Sequence, residues 1–212
     1  MHLRYLAAML FLLLAGTTAL AQSAAKWDKA VSSLLFDVRP TPQRAAMLEQ
    51  FSADKRLRKE VVSSENGFEL PQPHFKFYFS KHPLFRFAAD SGFISLDTAS
   101  TLPYPVPKKD VYGTTVRIAM DFSDTASMMQ AYREVTAYLH PYKKPFVDNG
   151  APPPPSPPGV WEQSATFHHP RGTGVREIFV VAMQTPAELM PGPKGGPALH
   201  HRITVRFHRW MD

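Results

Sequence analysis

The chain of 212 residues contains no cysteine. That absence excludes disulfide staples, thiolate metal sites and thiol nucleophiles together. Asn-x-Ser/Thr sequons are also missing, since Asn66 leads into Gly67-Phe68 and Asn149 into Gly150-Ala151. Beyond the N-terminus, no run approaches the ~20 continuous apolar residues that span a bilayer as a helix. The usual catalytic templates are absent as well: there is no GxSxG elbow, no Walker A loop and no GxGxxG fingerprint. Gly192-Pro193-Lys194-Gly195-Gly196-Pro197 carries proline where a phosphate-cradling loop needs free N–H groups. Ser52-Ala53-Asp54-Lys55 fits a short S-x-x-K pattern without its companion motifs. Acidic residues are outnumbered, 18 against 24 lysines and arginines, for a net charge of +6.

Proline is abundant: 21 residues, about twice the usual ~5% share. The excess is concentrated in residues 141–159, which hold eight, and residues 186–197, which hold four. Such runs have few backbone donors and favour extended polyproline II backbone, so they read as stiff loops between core elements. With 44% hydrophobic and 12% aromatic content, the rest of the chain has ample material for a packed core.

The N-terminus has a basic head (Met1, His2, Arg4), an apolar run from Leu6 to Ala15, and small residues at Ala19-Leu20-Ala21. This three-part pattern is that of a secretory signal peptide, residues 1–21, whose apolar run is too short to span a bilayer. Residues 22–212 are then expected to form a single α+β domain with the proline-rich loop 141–159. No cysteine follows the apolar run, so lipobox anchoring is impossible. An exported chain with neither cysteine nor sequons fits a bacterial periplasmic or secreted protein.

Trp27, Ala30, Val31, Leu34 and Leu35 recur at helical spacing up to Arg39-Pro40. Thr41-Pro42 then offers an N-cap and a first-turn proline for a second helix through Ala45, Leu48 and Phe51. Lys55, Arg56, Arg58 and Lys59 form a basic cluster, read as a solvated face or a contact for an anionic partner. From His74 to Ser80, Phe75, Phe77 and Phe79 alternate with polar residues, and Asp90-Ser91-Gly92 turns the chain into Phe93 to Asp97. Val116, Ile118, Met120 and Phe122 alternate within 111–122. Ser123 or Asp124 is placed to cap a helix whose apolar stripe is Met128, Ala131, Tyr132, Val135, Tyr138 and Leu139, closed by His140-Pro141. Met128, Met129 and Tyr132 read as core or as a partner groove. Val160 to His169 and Val175 to Thr185 read as a hairpin, the second strand central because it is apolar on both faces. The expected fold is α+β: a mainly antiparallel sheet with two N-terminal helices, one helix after a central strand, and proline-rich loops.

The last strand, His200 to Arg209, is the most distinctive. His201, Ile203, Val205 and Phe207 point one way, and His200, Arg202, Thr204, Arg206 and His208 the other. The second set is a cationic face, with histidines that titrate near neutrality. It suggests a partner-binding surface of His200, Arg202, Arg206 and His208, joined by Pro153 and Pro154 of the first loop. The leading expectation is an exported, periplasmic, non-enzymatic binding protein that acts by protein–protein contact, as an inhibitor or immunity-type protein against an acidic partner. One alternative is a small metal-assisted hydrolase using His168, His169, His200 and His201 with Glu162 or Glu177. Another is a binder of anionic envelope lipid or glycan. No cofactor, catalytic residue or nucleic-acid partner is indicated, because export removes the chain from cellular DNA and the strand aromatics lack an RNA-binding arrangement.

Overall fold

The computed structural model describes residues 22–41, 43–65, 68–98, 114–142, 160–169, 175, 177–186 and 199–208. The expected signal peptide and most of the two proline-rich loops, 143–159 and 187–198, lie outside the described residues.

Helix α1 spans 22–34 and buries Trp27, Ala30, Val31 and Leu34, one stripe at helical spacing. It stops five residues before the expected Arg39-Pro40 boundary, because Phe36 and Asp37 adopt φ of 58° and 66°. Left-handed backbone is unfavourable for residues with a Cβ. Here burial compensates: the Phe36 ring packs 5.0 Å from Phe79 and 4.7 Å from His82, and its carbonyl accepts a hydrogen bond from Arg56 at 2.8 Å.

Helix α2, Arg44–Ala53, also starts later than Thr41-Pro42 suggested. Gln43 is the N-cap, and the Thr41 hydroxyl accepts from the Gln43 N–H, so it orders the approach to the helix rather than its first turn. The chain then enters β1, Arg58–Glu65, a strand that sequence patterning missed because its first three residues, Arg58-Lys59-Glu60, are all charged. Strands β2 (Phe68–Phe79) and β3 (Ser91–Thr98) pair antiparallel, with Tyr78 opposite Phe93 and Phe79 opposite Gly92. Strand β4, Thr114–Phe122, leads into α3, Thr125–Leu139, whose N-cap Asp124 accepts from the Ser127 N–H at 2.8 Å, as expected. A 3-10 turn, His140–Tyr142, closes α3. Strands β5 (Trp161–His168) and β6 (Glu177–Pro186) form the expected hairpin, and β7 (Leu199–His208) is the last.

The seven strands among the described residues form one antiparallel sheet in the order β1-β2-β3-β4-β7-β6-β5. The fold is therefore α+β with a mainly antiparallel sheet. The last strand does not end at an edge. It inserts between β4 and β6, pairing Val205 with both Ile118 and Val180.

The helices cover one face. Alternate residues Phe77, Ile94, Ile118, Val205 and Val180 form a continuous cross-strand row with 1% exposure or less, and packing on this side joins Phe51 of α2 to Phe77 and seats α3 on β4, β6 and β7. Trp27 ties α1 to the far end of the sheet: its Nε1–H donates to the Val175 carbonyl, and its ring stacks on His169 at 5.8 Å. Among the described residues, no helix is long and apolar enough to cross a membrane.

Candidate functional site

Every strand alternates, so the row that faces away from the helices is fixed by the same register that builds the core. On that second face β2 presents Lys76 and Tyr78, β3 presents Phe93 and Ser95, and β4 presents Arg117, Ala119 and Asp121. The face continues with Arg202, Thr204 and Arg206 of β7 and with Phe179, Val181 and Met183 of β6. No described element packs over it.

Cations and aromatic rings interleave on this surface. Tyr78 and Phe93 lie 5.9 Å apart, Arg58 stands over the Tyr78 ring at 4.9 Å, and Lys76 and Arg202 approach Phe93 at 5.2 and 6.0 Å. Each such contact lets a long side chain lie flat while its charge stays in water. Beneath these chains Ser95 and Ala119 are almost fully covered, at 1% and 2% exposure. Burial raises the Tyr78 phenol above its ordinary value, with the nearby Glu60 carboxylate acting in the same direction.

The two arginines of β7 have different roles. Arg202 is spent on a bidentate pair with Asp121, Nε to Oδ1 at 2.6 Å and a terminal nitrogen to Oδ2 at 3.2 Å, and Asp121 also accepts from the Ser91 hydroxyl. Arg206 is exposed and stands directly opposite Arg117 of β4, whose Nε donates to the Ser95 hydroxyl at 3.3 Å. With Lys76 opposite Ser95, they make a cationic row across β2, β4 and β7.

His200 shares the outward face of β7, half-buried and opposite Thr185. His208 lies at the other end of the strand, opposite Glu177. Pro153 and Pro154 are outside the described residues.

The four candidate metal ligands are dispersed. His168 is opposite Glu177, whereas His200 is opposite Thr185, eight positions further along β6 and roughly 26 Å away at strand rise. Glu162 sits six positions from His168 on β5. His169 and His201 are buried in separate places, His169 between Ser23 and Trp27, His201 opposite Phe122 and Gln184 on the helix side. Among the described residues no three His, Asp or Glu side chains come together as a metal site.

The early basic cluster also divides. Arg56 is a structural tie, bound to Asp54 at 2.6 Å, to Asp37 at 3.4 Å and to the Phe36 carbonyl, and the Asp54 hydrogen bond holds its pKa above the ordinary value. Lys55, Arg58 and Tyr78 border a shallow groove of about 380 Å³ that opens beside the cationic face. On the helix side, Met128 is core, while Met129 and Tyr132 line an open groove of about 560 Å³ between α3 and the edge strand β5.

Lys76, Tyr78, Phe93, Arg117 and Phe179 escaped the sequence reading as a surface. The outward alternation of Lys76 and Tyr78 was visible, but which strands would flank them was not. No protein-family model, no characterised protein and no solved structure matches the chain.

Proposed function

We propose that this chain is an exported, periplasmic, non-enzymatic binding protein whose uncovered sheet face meets an acidic protein partner, in the manner of an inhibitor or immunity-type protein. One observation carries the reading: Arg58, Lys76, Arg117, Arg202 and Arg206 share one open face with aromatic rings at their feet, Glu60 and Asp121 lying against Arg58 and Arg202, and with Asp97, Glu162 and Glu177 at further positions of the same register. Flat aromatic area supplies apolar burial and the cations steer and orient an anionic partner. The dispersed histidines give the metal-hydrolase alternative no comparable support.

Envelope extract of the source cell, passed over the immobilised mature chain at about 150 mM salt, should yield one acidic protein by mass spectrometry. The complex should weaken about tenfold or more when Lys76 and Arg206 are both changed to Gln, and its association rate should fall steeply with salt. Retention of anionic lipid or glycan in place of a protein would refute the reading. So would substrate turnover by the purified chain.

A further inference from the structure

The sheet has two edges, and they are built differently. The β1 edge opens with Arg58-Lys59-Glu60 and carries a register shift between Val62 and Ser64, both of which discourage further pairing. The β5 edge has neither protection. Trp161–His168 holds no lysine, arginine or proline, and it pairs with β6 without a shift over all eight residues. Among the described residues, no strand pairs with its outer side. Residues 161–164 are exposed, Trp161 at 41%. The cations of the open face stand on β1, β2, β4 and β7, whereas the charged positions of β5 and β6 are Glu162, His168 and Glu177. A second copy brought to this edge therefore meets no row of strand cations.

Strand β5 is also its own complement. Directly opposed residues of an antiparallel pair share a face, so a twofold axis through Ala165 sets Ser164 of one copy opposite Thr166 of the other and Glu162 opposite His168, each twice. These pairs fall on the open face, one joining hydroxyls and one joining carboxylate to imidazole. His168 then stands between two carboxylates, Glu177 of its own β6 and Glu162 of the second copy. On the helix side the same axis opposes the two Ala165 residues and brings Trp161 to the second copy's His169, whose ring already stacks on Trp27. The open grooves between α3 and β5, bordered by Met129, Tyr132 and Phe167, then meet edge to edge. An axis through Ser164 would set Glu162 opposite Thr166 and lose both charge pairs. The stretch that precedes β5 is a poor competitor for this edge, because Pro152 to Pro155, Pro157 and Pro158 have no N–H to donate to a ladder. We propose that the β5 edge is a homodimer interface, in which two copies pair β5 to β5 antiparallel about Ala165 and continue one sheet across the junction. The interface is independent of the acidic-partner reading, since the open face stays uncovered.

Sedimentation of the full mature chain at roughly 10–100 μM should give twice the mass of one chain. Because the chain has no cysteine of its own, Ala165→Cys supplies a single thiol. Opposed Cα atoms ~4.5–5.5 Å apart are within disulfide reach, so this variant should crosslink to a dimer under mild oxidation. Ser164→Cys and Thr166→Cys should each crosslink far more slowly alone than when the two are mixed. Ser164→Lys combined with Thr166→Lys sets lysines opposite lysines and should weaken association about tenfold or more, while the variant keeps the amide dispersion of a folded chain. A chain that sediments as a monomer throughout and gives no Ala165→Cys crosslink overturns the proposal. So does a dimer that the two lysine changes leave intact, which would place the interface elsewhere. Crosslinking of Ser164→Cys in preference to Ala165→Cys overturns the axis through Ala165. If the chain dimerises only after residues 151–158 are replaced by a glycine-serine linker of equal length, the chain's own segment occupies the edge and the second copy is excluded.

Discussion

His82 shows how a single ring couples this core to solution conditions. It is 2% exposed, and its Nε2–H donates to the Leu34 carbonyl at 2.9 Å while Nδ1 accepts from the Leu84 N–H at 3.3 Å. Phe36, Phe79 and Phe85 surround it at 4.7 to 5.9 Å. Only the neutral ring can accept at Nδ1, and desolvation pushes its pKa down to about 4, against a smaller upward pull from the Leu34 hydrogen bond. Above the unfolded value near 6.5, neither state carries the proton and the group costs nothing. Between there and about 4, the unfolded chain takes up a proton that the folded chain refuses, so stability falls as pH drops, by about 3 kcal/mol in all. Denaturant titrations at pH 7 and 4.5 should show this loss, and His82→Gln should flatten the slope in that window. Parallel pH profiles for the two proteins would refute it.

At the level of elements, Gly92 decides how β2 and β3 meet. A Cβ there would fall 2.4 Å from Cε2 of Phe79, whose ring is wedged against Phe36 and His82 and has little room to retreat. Gly92→Ala should therefore destabilise by about 1–3 kcal/mol. Combining it with Phe79→Leu should recover part of that loss; strictly additive effects would show that the ring is not the obstacle. Elements of this kind were readable to different depths. Alternation in 74–80, 116–122 and 200–208 marked the strands and assigned faces correctly, and the stripe from Met128 to Leu139 located α3 with its cap. Alternation is a local property, and register is not. Nothing in Lys76, Arg117 or Arg206 taken alone says that Ser95 will join the first two or that the two arginines will be opposed. Strand β1 was lost because, in an edge strand, charge protects against unwanted pairing and also erases the hydrophobic signal. Helix α1 ends early because tertiary packing of Phe36 outweighs its backbone preference.

For the whole molecule, the governing fact is where β7 sits. Strands β1 to β4 form one run of sequential neighbours and β5 and β6 a separate hairpin; β7 joins the two. Removing residues 199–212 should leave β4 and β6 with open edges and take Ile203, Val205 and Phe207 out of the core, where each is 1% exposed or less. Loss of a cooperative unfolding transition and of dispersed amide resonances is the expected result. A truncated chain that still melts sharply would show that the four-strand part folds alone.

This strand order also imposes a schedule. A polypeptide that leaves a ribosome or a membrane pore N-terminus first exposes six strands before the seventh can seal them, and the pairing of β4 with β7 spans some eighty residues. Such distant pairings form slowly. The sheet therefore stays open between β4 and β6 until β7 has been delivered.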